Sequence, residues 1–181
     1  GFIAIGQTIA VLLGGIDLSV GPLSGLLVVV GSFFINDGRA GPVMIFGLVL
    51  MALVAFGVGL INGSLIQFLK FTPVAATLAM FIALQGFAFV LRDVPGGLIN
   101  SDVTRIITKT VGRVPVAFIA FVVATLAMEA ALRYRKWGLD LRATGSDEEA
   151  ASQVGVRTSP TVVLGYATVA LFVCAGAVIL L

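Results

Sequence analysis

Asp17 is the only ionisable residue between Gly1 and Asn36, a stretch that otherwise reads as membrane. A carboxylate at the centre of a bilayer costs about 2.5–3.5 kcal/mol even on the gentlest insertion scale. The chain must therefore turn Asp17 toward protein or a water-filled path. Gly14 and Gly15 before it, with Gly21 and Pro22 after it, allow a helix to break there. Gly14-Gly15-Ile16-Asp17-Leu18-Ser19-Val20-Gly21 is thus expected to interrupt a helix, and a polar break of this kind marks a place where something crosses. Asp17 has two compatible roles. It caps the second half-helix by accepting amides from Ser19 or Val20, or it lies beside a pathway together with Ser19.

Composition limits the class. Apolar residues make up 59% of the 181 and charged residues 11%, against about 45–50% and 25% in soluble domains. Mean hydropathy is +1.15. A net charge of +2 on so few charges is no nucleic-acid footprint. The chain has no histidine, which removes the commonest metal ligand and the usual general base. Cys174 stands alone in an apolar run, so an internal disulfide or a Cys-based metal site is excluded, and it reads as a small buried hydrophobe. Both ends lie inside hydrophobic runs without an initiating Met or signal-peptide n-region, which reads as a piece of a longer polytopic protein.

Five stretches suit the roughly 17–25 apolar residues of a spanning helix. They are Phe2 to Ile35 with its break, Val43 to about Ile66, Pro73 to Leu91, Val114 to Leu132, and Thr161 to Leu181. Whether the first crosses once or forms a re-entrant pair is open. Asn36 to Arg39 reads as a tight turn and Gln67 to Thr72 as a short loop. Arg92 to Pro115 and Arg133 to Pro160 are longer polar segments. The fold class is all-α: a polytopic transmembrane helical bundle with a broken helix and a short helix in its most charged loop. Gly21 and Gly25, Gly59 and Gly63, and Ala75, Ala79 and Ala83 recur at four-residue spacing, which lets helices approach closely. Basic residues divide six to five between the two sides and decide no orientation. The Arg133-Tyr134-Arg135-Lys136-Trp137 cluster suits a cytoplasmic face. Glu129 is spaced to pair with Arg133 at i+4.

Ser146 to Gly155 reads as a short helix. Ser146 with Glu149 forms a capping box, Asp147, Glu148 and Glu149 suit the first turn, and Gly155 suits a left-handed stop. Ala150, Ala151 and Val154 fall on one side. Helices shorter than about 12 residues are marginal in water, so this one needs a surface, either its own bundle or a partner.

The Gly14 to Gly21 stretch resembles the signature of the sugar permeases of the ribose, xylose and galactose type, the membrane subunits of bacterial ABC importers. Gly145-Ser146-Asp147-Glu148-Glu149-Ala150-Ala151, followed by Gly155-Val156, is similar to that family's cytoplasmic coupling loop (here about 133–160). Asn62-Gly63 and Thr72 to Leu78 are similar to its middle section. The resemblance covers Gly1 to about Leu164. Val156 stands where isoleucine is common and Asp147 where asparagine is frequent.

The resemblance implies a fragment of one transmembrane permease domain in the bacterial cytoplasmic membrane. It implies a second permease subunit (in a homo- or heterodimer), an ATPase subunit and a periplasmic or lipoprotein sugar-binding protein, with lipid around and no nucleic acid. ATP-Mg would be bound by the partner ATPase; this chain has no phosphate-cradling Gly-x-x-x-x-Gly-Lys motif and no catalytic or metal site. Gly145, Glu148, Glu149, Ala150, Ala151 and Gly155 would couple to the ATPase. Gly14, Gly15, Asp17, Ser19 and Gly21 would form the break or line the path. The alternatives are a branched-chain amino-acid ABC permease, which the Gly-Ile-Asp-Leu-Ser run disfavours, and a secondary transporter, which also uses broken helices but needs no partner-contacting helix.

Overall fold

The computed structural model describes residues 1–92 and 99–181. Its described elements are α1 (Phe2–Leu12), α2 (Val20–Phe34), α3 (Gly41–Gln67), α4 (Pro73–Leu91), α5 (Ser101–Thr108), a small hairpin of β1 (Thr110–Val111) and β2 (Val114–Pro115), α6 (Val116–Tyr134), α7 (Lys136–Ser146), α8 (Glu148–Gln153) and α9 (Thr158–Leu180). The all-α expectation is borne out. Four helices, α3, α4, α6 and α9, are long and apolar enough to cross a membrane. Prolines at the starts of α3 and α4 fit the first turn, where no amide partner is lost. Thr72 caps α4, accepting from the Ala75 amide at 3.4 Å.

The first apolar stretch is a hairpin of two short arms. α1 runs along α9 from Ile3 beside Gly176 to Leu13 beside Gly165. α2 then returns, so that Gly31 reaches Met51 and Leu181 at the opposite end. The turn between the arms lies against Pro73, the first residue of α4, and against Gly145 near the end of α7. The break thus sits at the end of the bundle that carries α7 and α8, hereafter the loop end.

α9 is the axis of the fold, packed against α1, α2 and α3. It meets α3 along an antiparallel ladder. A Cβ on Gly59 would lie 2.5 Å from Ala167 Cα and 2.6 Å from the Tyr166 carbonyl oxygen, and one on Gly63 would lie 2.6 Å from Val163 Cα. One turn further, Gln67 Nε2 donates to Ser159 Oγ at 3.0 Å. Glycine lets these two backbones touch, which in lipid is the main source of helix association. Leu23, Leu27, Met51, Ala55 and Val173 close a core between α2, α3 and α9. Ile9, Leu132, Leu141 and Val169 close a second between α1, α6, α7 and α9.

Two of the expected small-residue faces are exposed: among the described residues Gly21 and Gly25 have nothing within 4 Å of a Cβ position, and Ala75, Ala79 and Ala83 face outward. α2 meets α3, α4 and α9 through its larger residues instead. The loop after α6 is also not irregular up to Ser146. It forms α7, whose Leu141 is buried and whose Trp137 packs beside it.

Candidate functional site

The break is built from local rules. α1 ends with Gly14 in the left-handed region (φ +77°), its amide bonded to the Val11 carbonyl and the Gly15 amide to Ala10, each at 3.0 Å. That pair of bonds is a Schellman stop. The next residues alternate, Ile16 and Leu18 outward, Asp17 and Ser19 inward and buried. Asp17 Oδ1 accepts from the Ser19 amide at 2.8 Å and from Ser19 Oγ at 2.6 Å. The carboxylate therefore covers the Ser19 amide, one of the two donors expected of it, but the N-cap of α2 is Ser19 itself, and Asp17 stands two residues before it. Gly21 lies inside α2 rather than in the break, with open space around it.

Three residues to which the sequence assigned no part in the break complete it. Gln7, its amide turned to satisfy both groups, donates to the Asp17 carbonyl and accepts from the Asp17 N–H at 3.2 Å each. Thr77 Oγ1 donates to the Ile16 carbonyl at 3.2 Å. Asn62 Nδ2 donates to Ser19 Oγ at 2.9 Å, and Asn62 is 1% exposed. Non-helical backbone in a membrane protein is tolerated where protein or a water-filled cavity satisfies it; Gln7 and Thr77 bond the backbone of the break, and Asn62 fixes the Ser19 hydroxyl. Asn62 had carried a signal, since it is a polar amide within the apolar run of a 27-residue helix whose other polar side chains, Ser64 and Gln67, lie nearer its end. Beside the break runs a groove of about 890 Å³ lined by Gln7, Thr8, Val11, Ile16 and Asp17. The buried Tyr166 hydroxyl closes on Gly15 and Pro73 and has no hydrogen-bond partner among the described residues.

The short helix starts one residue later than its sequence suggests. Ser146 ends α7, and Asp147, in extended conformation, caps α8 by accepting from the Ala150 amide at 2.9 Å. The Ser146–Glu149 capping box is thus replaced by an Asp147 cap, because α7 holds Ser146 in helical geometry. Gly155 takes the left-handed stop (φ +89°), with its amide on Ser152 and the Val156 amide on Ala151, each at 3.0 Å. Glu149 and Ala150 face outward. Ala151 does not share their face, being buried against the bundle at 4% exposure. Val154 lies beyond the helix and is exposed. Glu148 turns toward α3, accepting from Gln67 Nε2 at 2.8 Å with Lys70 Nζ at 3.9 Å. The expected Glu129–Arg133 pair is present on α6.

The two stretches singled out in the sequence touch. Gly145 packs against the Leu12 carbonyl with no room for a Cβ, and a Cβ on Gly14 would lie 3.5 Å from the Gly145 carbonyl oxygen. Break and short helix form one assembly at the loop end.

All of residues 1–181 match the family described as "Branched-chain amino acid transport system / permease component". The chain belongs to this permease family. Among curated members it is 28% identical over 163 residues to the autoinducer 2 import system permease protein of Shigella flexneri, covering 86% of this chain and 45% of that protein. It is 29% identical to the protein of the same name from Photorhabdus luminescens, over 91% of this chain and 49% of that one. It is 26% identical to the fructose import permease protein of Bifidobacterium longum, over 91% and 47%. The chain spans about half the length of the curated relatives it matches. No solved structure matches it. Family and long apolar helices together make it a multi-pass membrane protein of the transport class, and the resemblance to sugar-type importer permeases is borne out.

Proposed function

We propose that this permease chain is part of the membrane-spanning subunit of a binding-protein-dependent ABC importer for a sugar, in the bacterial cytoplasmic membrane. ATP is hydrolysed by a separate ATPase subunit, with its Mg²⁺, on the face of the loop end. A second permease subunit and an external solute-binding protein complete the complex. The observation that carries this reading is the contact of Gly145 with Leu12 and Gly14, which joins an outward-facing short helix to the polar break. A push on Glu149 and Ala150 reaches Gly145 and the break through Asp147 alone, the one residue between α8 and α7. Engagement of the ATPases and of the binding protein then shifts the permease between two states, each favoured by whichever partner binds it better. Asp17 and Ser19 line or set the path beside the groove.

The fructose in the name of the Bifidobacterium longum relative favours a sugar over the amino acid in the family's title. The test is made in the complete importer with its binding protein and solute. Ala150→Trp, which puts bulk on the outward face of α8, removes solute-stimulated ATP hydrolysis while the protein still inserts. Normal stimulation in that variant, or uptake independent of the ATPase, contradicts the reading.

A further inference from the structure

The coupling helix and the helix break are joined a second time, through α3, and this route depends on two side chains. Gln67 stands at the loop end of α3 and is 6% exposed; its Nε2 is held between Glu148 Oε1 at 2.8 Å and Ser159 Oγ at 3.0 Å. Five residues earlier, about 7.5 Å along the axis, Asn62 donates to Ser19, which in turn donates to Asp17. Between them Gly63 is pressed on Val163, so this segment of α3 cannot slide along α9 without first separating from it. A close-packed helix pair transmits displacement because its interior does not compress.

We infer that Gln67 and Asn62 are positioning residues that make the loop-end half of α3 a strut, one end gripping the coupling helix at Glu148 and the other gripping the break at Ser19. This rests on the coupling reading given above. The Gly145 contact pushes on the end of α1, whereas the strut acts on the start of α2. Together they move both arms of the hairpin in register. Without the strut, Gln7 still ties Asp17 to α1, but Ser19 and the start of α2 lose their link to α3 and no longer follow the ATPase. Lys70 adds little to the grip. Its ammonium is 3.9 Å from Glu148 and both side chains are largely exposed, a setting in which ion pairs contribute little.

The experiment uses the full-length importer in lipid nanodiscs, with three readouts. One is the ratio of solute-stimulated to basal ATP hydrolysis, another the disulfide cross-link from Ala150→Cys to a cysteine on the ATPase. The last is the spin-label distance between Gln153→Cys and Leu18→Cys in a Cys174→Ala background, with and without trapped nucleotide. Gln67→Met keeps length and bulk but removes the donor. It is expected to lower the stimulation ratio about fivefold or more, the scale of a typical coupling free energy, while the cross-link persists. The nucleotide-dependent change in the 18–153 distance is expected to differ from that of the parent. Asn62→Leu should do the same from the other end. Gln67→Glu combined with Glu148→Gln rebuilds the pair with donor and acceptor exchanged and should restore most of the ratio, which separates lost transmission from a damaged fold. A retained cross-link with a parental ratio in both Gln67→Met and Asn62→Leu overturns the strut alone, as does failure of the exchanged pair to restore the ratio. Absence of the cross-link in the parent overturns the coupling reading and the strut with it.

Discussion

Gly145, near the end of α7, rests on the carbonyl oxygen of Leu12, the last residue of α1, across 133 positions of sequence and with no room for a methyl group between them. Two glycine-containing motifs that look independent along the chain thus share one contact. The end of α1 that leads into the break rests on the helix that leads into α8.

Gly145→Ala tests that contact. Inside a helix the change should help by up to about 1 kcal/mol from propensity, yet here overpacking against a backbone carbonyl costs about 1–3 kcal/mol. The expected outcome is a lower thermal midpoint in detergent. Gly25→Ala, with nothing within 4 Å, should keep or raise it. Equal behaviour of the two variants would mean the contact is not as close as described.

Asp17 and its acceptor role separate by substitution. Asp17→Ala leaves the buried Ser19 amide and hydroxyl without their acceptor, at about 1–3 kcal/mol for a buried unpaired group. Asp17→Asn keeps an oxygen in the same place and should lose little stability. Thermal unfolding gives the comparison. If Asp17→Asn folds like the parent and yet abolishes uptake, the charge itself serves the path.

Asp147, not Ser146, caps α8. Asp147→Ala should cost about 0.5–2 kcal/mol, appearing locally as faster hydrogen exchange at the Ala150 and Ala151 amides. Ser146→Ala should leave those amides unchanged. The reverse order would restore the Ser146–Glu149 box.

The α3–α9 ladder makes a graded prediction. Gly59→Ala and Gly63→Ala each push a methyl into backbone atoms at 2.5–2.6 Å, whereas Gly57→Ala on the same helix meets nothing within 4 Å. Thermal midpoints should fall for the first two by the equivalent of about 1–3 kcal/mol and hold for the third. Three equal midpoints would place α9 elsewhere.

The spans were legible because lipid demands long uninterrupted apolar runs. Pro73–Leu91 is the same in expectation and structure, and the other long helices begin and end within a few residues of theirs. The break at Gly14 and the stop at Gly155 were legible because each needs a left-handed residue. Partners were not. The spacing of Gly59 and Gly63 announces a close approach but is silent on Val163 and Ala167, and the same spacing in Ala75, Ala79 and Ala83 falls on an exposed face. α7 was hidden because its Gly138, Thr144 and Gly145 weaken the helical pattern, while burial of Leu141 against α1 and α9 supplies the stability. That burial also moved the cap from Ser146 to Asp147. Gln7 and Thr77 gave no sign, since their bonds go to backbone distant in sequence.

The most direct measurement concerns which side of the membrane holds the loop end and what covers it. In the full-length importer with its native cysteines replaced, Cys174 among them, Gln153→Cys is exposed on α8. A membrane-impermeant maleimide should modify it in inverted vesicles, not in sealed right-side-out cells, and added ATPase subunit should slow the reaction. Modification from the outside of sealed cells, or no protection by the ATPase, would contradict the account.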